Sequence, residues 1–299
     1  MALAGGLALA LSWAAPACRA AGGCAAVQGL LRRGGDLRER GRPADAAACF
    51  LKAARLAPDC AQAFFGAGQA EEDQGYFAQA ARDFKRSVEL SVGMAGGYYH
   101  LGLCQARQGL YDRAIDNYRL ATQLAPRASE VYCALAIAYR QTGQERACFA
   151  AVRQSLALQA DYGGAWNVLG NAYVDEGRYD LAAQAYLKAI GCTPNYFNAY
   201  YNLGLVYQEQ GRLEPARAAL RRAVELKPGF SDAWYRLAQC QRGDPGQEEY
   251  CLRRAVRSRP DNFQAQLALL HFYRRRGDPA KAALQERRYH RAVEETARK

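Results

Sequence analysis

The sequence predicts an all-α fold, a right-handed α-solenoid built of stacked helical hairpins. Three observations predict it. Stretches of the 299-residue chain align without gaps at a spacing of 34 residues. Within each stretch the apolar side chains recur at helical spacing. Gly and Pro fall at fixed places where a helix has to end.

With each unit numbered 1 to 34, the aligned stretches end at Pro126, Pro194 and Pro228. An aromatic holds position 4 as Phe64, Tyr98, Tyr132, Trp166, Tyr200 and Trp234, and Leu holds position 7 from Leu101 to Leu237. Positions 4, 7, 8 and 11 share one helical face, so this is the buried side of the first helix. Position 8 is small in the first seven units, from Gly34 through Gly170 to Ala238, and position 20 is Ala or Cys from Ala46 to Ala216. Longer side chains there would prise the paired helices apart. Gly at position 15, from Gly41 to Gly211, permits the positive φ that ends the first helix. Pro at position 32 stops the second helix and opens the next unit. Each hairpin keeps one uncovered apolar edge, which the next hairpin buries.

The units run 27–60, 61–94, 95–128, 129–162, 163–196 and 197–230, then a shortened 231–262 and a divergent 263–296. The seventh loses two residues around Gly243-Asp244-Pro245-Gly246, so a tighter turn is expected. The eighth keeps Tyr273 and Gly277 but has a polar second helix, as suits the end of a stack. The organisation is therefore an apolar segment at 1–26, seven repeats over 27–262, and a divergent eighth repeat with a capping helix over 263–299.

Composition narrows the function. Half the residues are hydrophobic and 23% are charged, which excludes a disordered chain. After residue 18 no long uncharged apolar run remains, which excludes a multi-span membrane protein. The three histidines, His100, His271 and His290, lie far apart and outside any HExxH motif. No phosphate-cradling Gly-rich motif occurs, and the carboxylates are scattered, so the chain does not read as an enzyme. Nor does it call for a metal or cofactor. The ten cysteines form no CxxC, and several fall where a small buried residue is needed. Packing thiols fit a reducing compartment, which points toward the cytoplasm. Residues 1–18 carry no charged side chain and end at Cys18, with Cys24 six residues further on. A cleaved signal or lipid anchor would instead place the protein in the periplasm or on a membrane; an uncleaved helix packed on the first repeat is the other outcome. Net charge is +11, and residues 231–299 hold 15 Lys and Arg against 9 Asp and Glu. This end serves either an acidic partner or simple solubility. Nucleic acid is not expected, because the aromatics hold core positions.

The pattern resembles the tetratricopeptide repeat family across about residues 27–296. The resemblance implies a superhelix whose first helices line a concave groove at positions 2, 5, 6, 9, 12 and 13. It implies a non-catalytic scaffold or adaptor that takes a peptide or protein segment in that groove. Asn167, Asn171, Asn202 and Arg236 are the candidate polar contacts, with Tyr201 and Tyr235 beside them. Asn can grip both sides of a peptide backbone, and Arg can fork onto a carboxylate. The group is similar to the clamps of heat-shock co-chaperones, except that Asn167 and Asp232 stand where those carry Lys. It is also similar to the AWNxLG and YNLG segments of the peroxisomal import receptor. The Asn ladder of the related sugar transferase is not reproduced, nor is its catalytic region. Tyr99, Leu103, Ile137 and Leu205 are the candidate apolar groove positions. Both sets have a competing role in tying neighbouring helices together. Two other functions remain open: an exported or lipid-anchored assembly factor of a bacterial envelope machine, and a repeat module serving a separate enzyme.

Overall fold

The computed structural model describes residues 24–297, with side chains from 25 to 296. The apolar run of residues 1–23, with Cys18, lies outside the described residues, as does the side chain of Cys24. The described residues form sixteen α-helices and no strand. They pair as α1 (Cys24–Glu39) with α2 (Pro43–Leu56), α3 (Ala61–Asp73) with α4 (Phe77–Leu90), α5 (Ala95–Arg107) with α6 (Tyr111–Leu124), and α7 (Ser129–Gln141) with α8 (Glu145–Leu158). Then come α9 (Gly163–Asp175) with α10 (Tyr179–Cys192), α11 (Phe197–Glu209) with α12 (Leu213–Leu226), α13 (Ser231–Cys240) with α14 (Pro245–Ser258), and α15 (Phe263–Arg275) with α16 (Pro279–Ala297).

The chain divides into two compact units, one ending at Ala160 and the other starting at Asp161. The 34-residue period runs through that boundary without a break, so the sequence carries no sign of it. Within each unit, successive hairpins stack in chain order. First helices of neighbouring hairpins also touch, α3 with α5 and α9 with α11, whereas second helices do not. The first helices are therefore the closer-packed wall of each unit.

Burial explains the small residues. Ala46, Ala80, Ala114, Ala182 and Ala216 are fully buried, and Cys148, in the same place, is 1% exposed. The glycines at position 8 face one large residue at position 24. A Cβ on Gly102 would stand 2.6 Å from the Tyr118 ring, and one on Gly204 would stand 2.6 Å from Leu220 Cγ. Small and large side chains thus interlock across each hairpin. The turn glycines behave as their positions require: Gly177 has φ 70° and Gly211 has φ 71°. The seventh hairpin has no such glycine. There α13 is ten residues long, and Asp244 Oδ1 accepts the Gln247 N–H at 3.1 Å to start α14.

Cys104, Cys240 and Cys251 are buried and unbridged, as packing residues should be. Cys60 differs: it is 1% exposed and disulfide-bonded, so not every cysteine is a thiol. Among the described residues, no helix is long and apolar enough to cross a membrane, and no His, Cys, Asp and Glu cluster is suited to a metal ion.

Candidate functional site

The polar candidates all lie in the second unit, on α9, α11 and α13. Asn202 Nδ2 donates to Asn167 Oδ1 at 3.1 Å and to Asn171 Oδ1 at 3.2 Å. Tyr186, from α10, donates its hydroxyl to Asn171 Oδ1 at 2.7 Å. The three Asn side chains therefore form one network that ties two successive repeats. Asn167 is buried, and Asn171 and Asn202 are half-buried. The network leaves three groups unspent. Asn167 Nδ2, Asn171 Nδ2 and Asn202 Oδ1 have no hydrogen-bond partner among the described residues, and none is sealed from the surface.

A second chain of contacts begins one helix on. Arg236 Nη1 donates to Gln239 Oε1 at 3.4 Å, and Gln239 Nε2 donates to the Tyr235 hydroxyl at 3.0 Å. Gln208 Nε2 donates to the Arg236 carbonyl at 3.2 Å, fixing α13 against α11. Tyr201 packs its ring 4.7 Å from Phe230. Burial pushes its phenol up, and the neighbouring Arg236 guanidinium pulls it back. Asp232 accepts from Arg259 at 2.7 Å and from Asn262 at 3.0 Å. No hydrogen bond joins the Asn network to the Arg236 chain among the described residues.

The apolar candidates are divided between the units. Tyr99, Leu103 and Ile137 belong to the first, and Leu205 belongs to the second. Ile137 is 41% exposed, so its side chain is presented to solvent. Tyr99 is instead half-buried, against the rings of His100 at 5.3 Å and Tyr118 at 6.1 Å. His100 is itself stacked on Phe84 at 5.2 Å and held by Glu72 at 2.8 Å.

Part of the basic C-terminal stretch is paired. Arg253 meets Glu249, Arg274 meets Glu286 and Arg275 meets Glu248, at 3.7, 2.8 and 2.6 Å. Apart from the pair to Glu248, which is buried, these are exposed pairs that add little stability, but all three lower the local positive field.

Sequence spacing missed Tyr186, Gln208 and Gln239. Tyr186 sits at position 24, where Phe50, Phe84, Tyr118 and Leu220 also fall. That bulk was visible as a recurring large residue, but its hydroxyl contact was not.

Hairpins of this geometry, stacked through small-against-large contacts, define a helical-repeat protein of the kind that serves as an interaction scaffold. Family models described as tetratricopeptide repeat match residues 31–95, 73–129 and 197–230, and a TPR repeat model matches 170–211. Together they span more than half of the chain, and it belongs to the tetratricopeptide repeat family. No curated protein matches it by sequence. Among solved structures, the Cut9-Hcn1 hetero-tetramer of APC/C is similar, with a TM-score of 0.68 and 18% identity over 81% of this chain. The chain spans 48% of that protein's length. PilF of Pseudomonas aeruginosa is similar with a TM-score of 0.60 and 19% identity, over 69% of this chain and 97% of that one. These likenesses are of fold.

Proposed function

We propose that the protein is a non-catalytic scaffold that holds an extended peptide segment of a protein partner against α9, α11 and α13. One observation carries this: two amide donors and one carbonyl acceptor, on Asn167, Asn171 and Asn202, are left over from the network that fixes them. An extended backbone offers alternating acceptors and donors, which is the complement of such a set. Because the side chains are already tied down, binding costs little ordering of the receptor. Tyr201 and Tyr235 give flat apolar contact, and Arg236 takes an acidic side chain or terminal carboxylate further along the same segment.

The test is a library of extended peptides titrated into the wild type and into Arg236→Ala. Arg236 is half-buried, and its ion is not part of the Asn network, so this variant is expected to fold. Loss of the charge-assisted contact should cost about 1.5–3 kcal/mol, roughly 10- to 100-fold in affinity for acidic peptides. Equal affinity of the two proteins for every captured peptide would remove this wall as the site.

A further inference from the structure

A cleft of about 270 Å³ opens between α12, α13 and α14, lined by residues outside the candidate wall of the previous section. Its apolar side is Leu237 with the rings of Trp234 and Tyr250, which meet edge to face at 5.7 Å. Trp234 already donates its indole N–H to the Pro228 carbonyl at 2.8 Å, so the ring is held in place. The Arg254 guanidinium lies over that ring, 5.2 Å from its centroid. Stacking leaves the guanidinium's edge donors free to fork onto an anion.

Several polar side chains of this cleft lack a hydrogen-bond partner among the described residues. Arg254 Nε is buried without a hydrogen-bond partner. Gln241 is only 5% exposed, lines the cleft, and has no side-chain hydrogen bond among the described residues. Its amide atoms are not sealed from the surface, so they stay open to a ligand in the cleft. Arg221 also lines the cleft and has no carboxylate partner among the described residues. The one carboxylate there, Glu225, is held by Arg222 at 3.1 Å. The cleft therefore joins an aromatic wall to two guanidiniums without a carboxylate partner and an amide without a hydrogen bond among the described residues.

We propose that this cleft is a second binding site, for an organic carboxylate carried on an aromatic or branched apolar body. The body packs on Trp234 and Tyr250, and the carboxylate meets Arg254 and Arg221 while the Gln241 amide completes its hydrogen bonds. A free aryl carboxylate and the C-terminal residue of a peptide share this chemistry.

The experiment follows the Trp234 indole resonance of the full chain, assigned with Trp234→Phe. The probes are phenylacetate, N-acetyl-Gly-Gly-Phe, and the same peptide as its C-terminal amide. The expected result is a saturable shift with at least one acid and none with the amide. Preference for phenylacetate assigns the site to free small molecules; preference for the peptide acid assigns it to chain ends. Arg254→Gln should weaken binding roughly tenfold, and Arg221→Gln, on an exposed side chain, several-fold. Arg236→Ala should leave the titration unchanged, which separates this site from the wall of α9, α11 and α13. No saturable shift with either acid up to about 10 mM, or equal shifts with acid and amide, would overturn the proposal. So would unaltered binding by a folded Arg221→Gln.

Discussion

Tyr186 reaches across from α10 to donate to Asn171 Oδ1 at 2.7 Å, and the residue before Asn171 is the glycine that makes room for it. A Cβ on Gly170 would stand 2.5 Å from Cε1 of the same ring. Tyr186 is 1% exposed and anchored at its hydroxyl, so the ring has nowhere to retreat. One hairpin contact thus serves packing and the orientation of a candidate binding side chain together.

Gly170→Ala should accordingly destabilise the fold by about 1–3 kcal/mol, and Gly170→Leu by more. Gly191 is the control. It lies in α10 with open space where its Cβ would go and no positive φ. Gly191→Ala should be neutral or stabilising by about 0.5 kcal/mol. Urea unfolding midpoints of the three variants check this. An unchanged midpoint for Gly170→Leu would mean that the helix faces are misassigned.

Tyr186→Phe tests the hydroxyl alone. The ring and its packing remain, while Asn171 Oδ1 keeps only the donor from Asn202. Stability should fall by about 0.5–1.5 kcal/mol. Asn202→Ala removes the links to both Asn167 and Asn171. Because the three side chains share acceptors, the double variant should not equal the sum of the singles. A coupling energy of zero from a double-mutant cycle would show that the network is not energetically joined.

The hairpins were legible in the sequence because their demands are steric and repeat at one spacing. Gly177 and Gly211 have to turn, and Ala182 and Ala216 have to be small, as Cys148 is in their place one repeat earlier. The Asn network was legible only as three residues on one wall. Its bonds cross sequence separations of 15, 31 and 35 residues, and these depend on rotamers that no period encodes. Leu103, Ile137 and Leu205 share one repeat position, a row interrupted at Asn171, and repeat positions carry no sign of the division at Ala160, which no change of composition marks. The Trp234 cleft was hidden for a similar reason. Trp234 and Arg254 each follow their own helix, and only the stacking of α13 on α14 sets one over the other.

The buried thiols should react slowly. Burial pushes Cys104 up to about 12 and Cys251 up to about 11, and it raises Cys240 as well. The thiolate is the reactive form, so at pH 8 these sites hold very little of it. Cys49 and Cys192 are only partly buried and should be labelled first. Timed alkylation with peptide mapping should give that order, with Cys104, Cys133, Cys148, Cys240 and Cys251 modified only on unfolding. Prompt labelling of Cys104 in the native protein would show that the α5–α6 interface opens.

Glu71 sets a pH dependence in the first unit. Its carboxyl rises from 4.5 to about 7, first through burial and then through Asp83, with Arg82 opposing. Its Oε2 is buried and accepts no hydrogen bond. Asp83 is shifted the same way, also by burial and against Arg82. A carboxyl whose pKa is higher in the folded state favours folding while it is protonated. That contribution is fully present below about 4.5 and is lost as pH rises through about 7. At pH 8 the ionised Glu71 is therefore a liability that Gln would remove, because Gln keeps the shape without the charge. Glu71→Gln should raise the melting temperature at pH 8 and leave it nearly unchanged at pH 4. The side chain is half-exposed, which screens the charge and keeps the gain modest. Thermal unfolding of wild type and variant from pH 4 to 8 measures the difference directly. A gap that stays constant across that range would mean that the carboxyl does not titrate there, and that Glu71 acts through packing alone.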